Sequence, residues 1–166
     1  MRTTLIMSVI STLLFISQHV LAISPATEEP ILWVSGNISE TNSLDGVELD
    51  EAMIFGLEQG TIHTNNHVVE EVVEYRGPTL ISLLDYVGAR GDTIKVIAWD
   101  EYLVTIPVAD IKKYGVILAT HESGNRMTLD DKGPFFVVFP FTDHAELRND
   151  AYYSLSVWQV REIVVE

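Results

Sequence analysis

The hydrophobic positions of this chain fall mostly into short β-branched runs separated by polar or glycine-bearing turns, and only once into a clear helical spacing. Ile31 to Val34 is β-prone, and the stretch holding Gly36, Asn37 and Gly46 reads as loop with short extended pieces. Thr61 to Tyr75 is rich in Val, Ile and Thr, whose branched side chains favour strand, while Glu70, Glu71 and Glu74 place it near an edge or exposed face. Arg76-Gly77 ends that strand. Pro78 then opens a helix in which Leu80, Leu83, Leu84 and Val87 recur at helical spacing, and Gly88 closes it.

Ile94 to Ala98 and Leu103 to Ile106 pair most simply as a hairpin with Trp99 to Tyr102 at its tip. Val108 to Tyr114 can form one or two helical turns. Val116 to Thr120, Phe135 to Phe139 and Val157 to Val165 add further strands, with Pro134 and Pro140 bounding the second. Helical signals never alternate regularly with strands, so the expected class is α+β, a β-rich single domain over residues 23–166.

The first 22 residues are of a different kind. Arg2 supplies a positive start, Leu5 to Ile16 an apolar run, and Val20-Leu21-Ala22 a small residue before a cleavage point, the pattern of a secretory signal peptide cleaved after Ala22. The apolar run is shorter than the roughly 20 residues of a membrane span. Ser24 to Pro30 then reads as a loose lead-in. With 24 acidic and 10 basic residues the net charge is -14, and loss of Arg2 makes it -15, which disfavours nucleic acid and anionic membrane surfaces as partners. The chain has no cysteine, so it has no disulfide, no thiol nucleophile and no sulfur-thiolate ligand for a metal.

Tyr75-Arg76-Gly77-Pro78-Thr79-Leu80 with Leu83-Leu84, then Ala98 to Tyr102, Ile106-Pro107, Asp131-Lys132-Gly133-Pro134 and Val157-Trp158-Gln159-Val160 form an ordered set. It resembles the molybdopterin-binding domain of the sulfite oxidase superfamily from about Ile31 to the C-terminus. The resemblance implies a sulfite-oxidase-like molybdopterin-binding fold with a deep pterin pocket formed by loops at one end of the β-structure. Catalytic members of that family bind molybdenum through a cysteine of the loop that resembles Thr61 to Val68. This chain has Thr61-Ile62-His63-Thr64-Asn65-Asn66-His67 there. Imidazole and amide are poor replacements for a soft, charged thiolate. In this the chain is similar to periplasmic pterin-binding regulators of the PruR type, which bind free pterin and relay occupancy to a membrane enzyme that makes or degrades cyclic di-GMP.

A pterin pocket needs an aromatic face and an acceptor for the ring N–H and exocyclic amine. Trp99 can supply the first and Asp100 or Glu101 the second, with Tyr102 beside them; the alternative is a solvated turn with the rings on the core. His63, Thr64 and Asn65 are candidates because they occupy the loop that lost the cysteine. Arg148 could stack on or bond to the pterin carbonyl, or form a surface ion pair. Lys132 is expected to shape a turn and Trp158 to be core. His63 and His67 on an extended segment lie too far apart to share one metal ion, and no serine–histidine spacing recommends a hydrolase triad.

The expected function is therefore non-enzymatic: a periplasmic protein that binds free pterin without molybdenum and docks on the periplasmic part of an inner-membrane signalling protein of the GGDEF/EAL type. The alternatives are a degenerate molybdopterin-dependent oxidoreductase subunit and a purely structural interaction module.

Overall fold

The structure is a computed structural model that describes residues 23–166. The expected signal peptide, residues 1–22, lies outside the described residues. In chain order the elements are β1 (Leu32–Gly36), β2 (Val47–Leu49), α1 (Glu51–Gly56), β3 (Gln59–Thr64), β4 (Val73–Pro78), α2 (Leu80–Tyr86), β5 (Thr93–Ala98), β6 (Leu103–Pro107), α3 (Val108–Tyr114), β7 (Ile117–Ala119), β8 (His121–Glu122), β9 (Asn125–Arg126), β10 (Phe136–Val138), a 3-10 turn at Ala145–Leu147, α4 (Asp150–Tyr153) and β11 (Val160–Val165). The fold is α+β and sheet-rich, the class expected from the sequence.

A five-stranded sheet in the order β2-β1-β11-β5-β6 carries the larger core on one face. Leu32, Val34, Ile94, Val96, Ile106, Ile163 and Val165 alternate inward along its strands and pack with Leu80, Leu83 and Leu84 of α2 and Ile111 of α3. A second sheet, β3-β4-β8-β9, covers a smaller cluster around Ile62, Tyr75, Met127 and Phe136. The pair β7-β10 lies between them. Leu118 and Val137 enter the larger core, whereas Ile117, Ala119, Phe136 and Val138 enter the smaller one. Burial on both faces is why these two strands are uninterrupted apolar runs in the sequence.

Several local expectations change for identifiable reasons. Thr61 to Tyr75 is not one strand but two halves of a hairpin, with Thr64 opposite Val73. Asn66 breaks it: its side-chain oxygen accepts from the N–H groups of Val68 and Val69 at 2.8 and 2.7 Å, offering the backbone a turn in place of a ladder. Pro78 ends β4 rather than opening α2, which is capped by the Thr79 hydroxyl accepting from Ser82 N at 3.2 Å. Gly88, with φ +61, supplies the left-handed residue after that helix. Two short helices, α1 and α4, add to the expected α2 and α3; Asp50 and Asn149 cap them. Val157 to Gln159 precedes β11 instead of belonging to it.

Gly77 is required by close approach, because a methyl group there would meet the Leu118 carbonyl and the Ala119 backbone. Gly77→Ala is expected to cost about 1–3 kcal/mol, read as a lower urea midpoint with an unchanged slope.

Asp50 ties the N-terminal lead-in to α1. One carboxylate oxygen accepts from Met53 N at 2.9 Å, the other from Thr27 N at 2.8 Å and Glu28 N at 3.2 Å. These bonds, led by those from Met53 and Thr27, hold its pKa below the ordinary aspartate value against the opposing effect of burial. Because the folded pKa is depressed, the resulting stability is present above the unfolded pKa of about 3.9 and is lost as pH falls through the lower folded value. Asp50→Asn keeps the cap but sets an amide against Thr27 and Glu28. The variant should be less stable than wild type at pH 7, with the gap narrowing below about pH 4, as chemical unfolding across pH reports.

Candidate functional site

The hairpin of β5 and β6 ends in a tight turn. Ala98 N donates to Tyr102 O at 2.9 Å and Glu101 N to Ala98 O at 3.1 Å, with Glu101 in the left-handed region at φ +69. Asp100 Oδ1 accepts from Tyr102 N at 3.0 Å, and the Tyr102 hydroxyl donates to Ser154 O at 3.1 Å, fastening the tip to the end of α4.

Between this tip and the opposite loops lies a cleft of about 410 Å³, within the roughly 300–1,000 Å³ of small-molecule sites. Asp100 and Tyr102 line one side, Asp131, Trp158 and Gln159 another, and His67, Tyr153, Ser154 and Ser156 the remainder. Gln159 organises the second side. Its own φ is +53, its backbone N–H donates to Lys132 O at 2.9 Å, and its amide nitrogen donates to Leu129 O at 2.7 Å and Asp131 O at 3.1 Å. Val157 and Val160 are fully buried on either side of this kink, so Trp158 is turned outward to the cleft instead of joining the core as expected. The His67 ring leans on Tyr153 with centroids 5.2 Å apart. Ser156 lines the cleft but is buried, and its Oγ has no hydrogen-bond partner among the protein's atoms.

Behind Asp131 sits a half-hidden ion cluster. Lys132 Nζ lies 2.7 Å from Glu122 and 3.0 Å from Asp131, and Tyr75 donates its hydroxyl to Glu122 at 3.1 Å. Burial lowers the Lys132 pKa, but its bonds to Glu122 and Asp131 outweigh that and leave it raised overall. Burial, then the Glu122 charge, raises the Tyr75 hydroxyl. Lys132 thus fixes the cleft wall and is consumed by its partners.

Of the residues expected to touch the ligand, Asp100 and Tyr102 line the cleft, whereas Trp99, Glu101, His63, Thr64, Asn65 and Arg148 do not. The Trp99 ring points to the opposite face of the five-stranded sheet, 6.3 Å from the Trp33 ring, with the Arg161 guanidinium 5.5 Å above it. Glu101 is exposed at the tip because its left-handed backbone turns the chain there. His63 is exposed and faces Glu74 across the hairpin at 3.3 Å. Thr64, Asn65 and Arg148 do converge, but on Thr142. The Thr64 hydroxyl accepts from Thr142 N at 3.1 Å, Asn65 N donates to Thr142 Oγ1 at 3.2 Å, and Arg148 donates to the carbonyls of Phe141 and Thr142 at 2.7 and 2.6 Å. The loop expected to contribute Thr64 and Asn65 contributes His67 instead. Seven lining residues, among them Trp158, Gln159 and Ser156, arise from long-range closure. Their sequence signals were the Asp131-Lys132-Gly133-Pro134 and Val157-Trp158-Gln159-Val160 segments.

Among the described residues no group of three or more His, Asp or Glu is placed to hold a metal ion. Removing the Lys132 ammonium would take from Glu122 its charged partner and release the Asp131 wall, so Lys132→Ala is expected to cost about 1–3 kcal/mol in chemical unfolding.

No family model matches the chain, and no curated protein matches it by sequence. Among solved structures the fold is similar to the sulfane dehydrogenase SoxCD from Paracoccus pantotrophus, with a TM-score of 0.58 and 14% identity over 81% of this chain. The matched region spans 37% of that protein's chain. The likeness is one of fold.

Proposed function

We propose that this chain is a periplasmic, non-enzymatic protein that binds a free pterin in the cleft and relays occupancy to an inner-membrane cyclic di-GMP enzyme. The observation that carries the reading is the cleft itself, in which two carboxylates and several aromatic rings meet without any thiolate in the chain. Asp100 and Asp131 accept from the ring N–H and exocyclic amine; Trp158 and Tyr102 offer flat faces. Asp131 keeps acceptor capacity beside Lys132 because a carboxylate has about four lone-pair sites. Molybdenum fits less well. Thr64, in the loop where the resemblance puts the metal cysteine, is buried with its hydroxyl tied to Thr142. The acidic surface favours encounter with a basic partner domain.

The second reading, a degenerate molybdopterin-dependent oxidoreductase subunit, is favoured by the fold likeness to SoxCD. Protein purified from the periplasm separates the two: bound pterin fluorescence with no molybdenum supports the sensor, and stoichiometric molybdenum overturns it. In titrations with reduced pterins, Asp100→Asn preserves the turn but removes the charge, and should weaken binding about tenfold or more. Trp158→Ala should also weaken it. Unchanged affinity in both variants places the ligand elsewhere.

A further inference from the structure

The five-stranded sheet has a second face, directed away from the core. Strand pairing aligns one rung across all five strands of that face: Glu48, Trp33, Glu162, Ile97 and Leu103. Directly paired residues on adjacent strands place their side chains about 5 Å apart on one side, so Trp33 stands between two glutamates. The next rung is Ser35, Val164, Lys95 and Thr105. A register shift between Val160 and Glu162 sets Arg161 over the Trp99 ring, and Trp99 meets Trp33 edge-on at 88°. Trp99 and Leu103 are 45% and 47% exposed, which is high for anchors of this size. Beside Trp33 the surface sinks into a hollow of about 240 Å³ where Asp45 joins Glu48 and Glu162.

We propose that this face is a docking surface for a basic, amphipathic segment of a partner protein, which seats a Lys or Arg side chain against Trp33 between Glu48 and Glu162. An indole face attracts a cation, and carboxylates on both sides strengthen that attraction while rejecting an anion. Among the described residues, the ion pair recorded for these three carboxylates is the 3.8 Å contact of Arg161 with Glu162, which leaves the hollow net negative. Ile97, Leu103 and Trp99 give the segment's apolar residues a surface to cover. A second copy of this chain is the poorer occupant, because a two-fold contact centred on Trp33 would set Glu48 and Glu162 against their own duplicates. The inference stands apart from the identity of the ligand in the cleft.

The test is a titration of the purified chain, followed by tryptophan emission, with a synthetic peptide alternating Arg with Leu. A matched peptide carrying neutral citrulline in place of Arg is the control. The Arg peptide should bind, and the citrulline peptide should not. The double variant Glu48→Gln/Glu162→Gln should weaken binding about tenfold, whereas Glu70→Gln/Glu71→Gln, an equal change of charge in an exposed loop, should leave it unaltered. Trp33→Ala should abolish it, and circular dichroism checks that this variant folds. Pterin titrations should be the same in wild type and in Glu48→Gln/Glu162→Gln, so that failure of this face and failure of the cleft are separate results. Equal loss in the two double variants, equal binding of both peptides, or sedimentation showing a dimer that Trp33→Ala disperses would each overturn the proposal.

Discussion

Everything in this fold hangs on the placement of its last strand. β11 lies between β1, with which it runs parallel, and β5, with which it runs antiparallel, so both of its backbone edges are used. Ile163 and Val165 bury their side chains in the larger core. A parallel pairing between the first strand and the last requires nearly the whole chain as its crossover, a non-local closure whose entropic cost falls early in folding. The same strand sets both surfaces of interest. Its approach segment, bent at Gln159, turns Trp158 to the cleft, and its register sets Glu162 beside Trp33.

The two cores are joined less by sheet hydrogen bonds than by shared side chains. β7 and β10 send alternate residues to each, and Gly77 lets β4 lie directly on β7. Beside that seam Tyr75, Glu122, Lys132 and Asp131 form one chain of contacts that runs from the buried Tyr75 and Lys132 through the half-buried Glu122 to the exposed Asp131. Such a cluster is costly to bury and specific once complete, since each charge has one arrangement that satisfies it. It fixes the height of the Asp131 wall, and with it the width of the cleft.

Much of this was legible from local pattern. α2 follows from Leu80, Leu83, Leu84 and Val87, and the β5–β6 hairpin from two β-branched runs around a polar turn. Asp100 and Tyr102, candidates from the sequence, line the cleft because that turn carries them there. Trp99 was misread although the information was present: with Ile94, Val96 and Ala98 facing inward, the period of two sends Ile97 and Trp99 outward. The places of His67 and Ser156 in the cleft were not legible, because they depend on an Asn66 turn and an α4 end; Gln159 stood in a quoted segment, but its left-handed kink is explained only by tertiary closure. Arg148 carried a real signal of a polar centre, but its fork is satisfied by two main-chain carbonyls.

The turn from Trp99 to Tyr102 therefore belongs to two surfaces at once. Asp100 and Tyr102 look into a concave site, while one residue earlier an indole braces a convex sheet. Four consecutive residues thus carry two separate vocabularies of recognition, divided by the thickness of a single backbone. Substitutions in this turn sort by the side each residue faces rather than by proximity: Trp99 and Asp100, adjacent in sequence, report on opposite sides of the molecule.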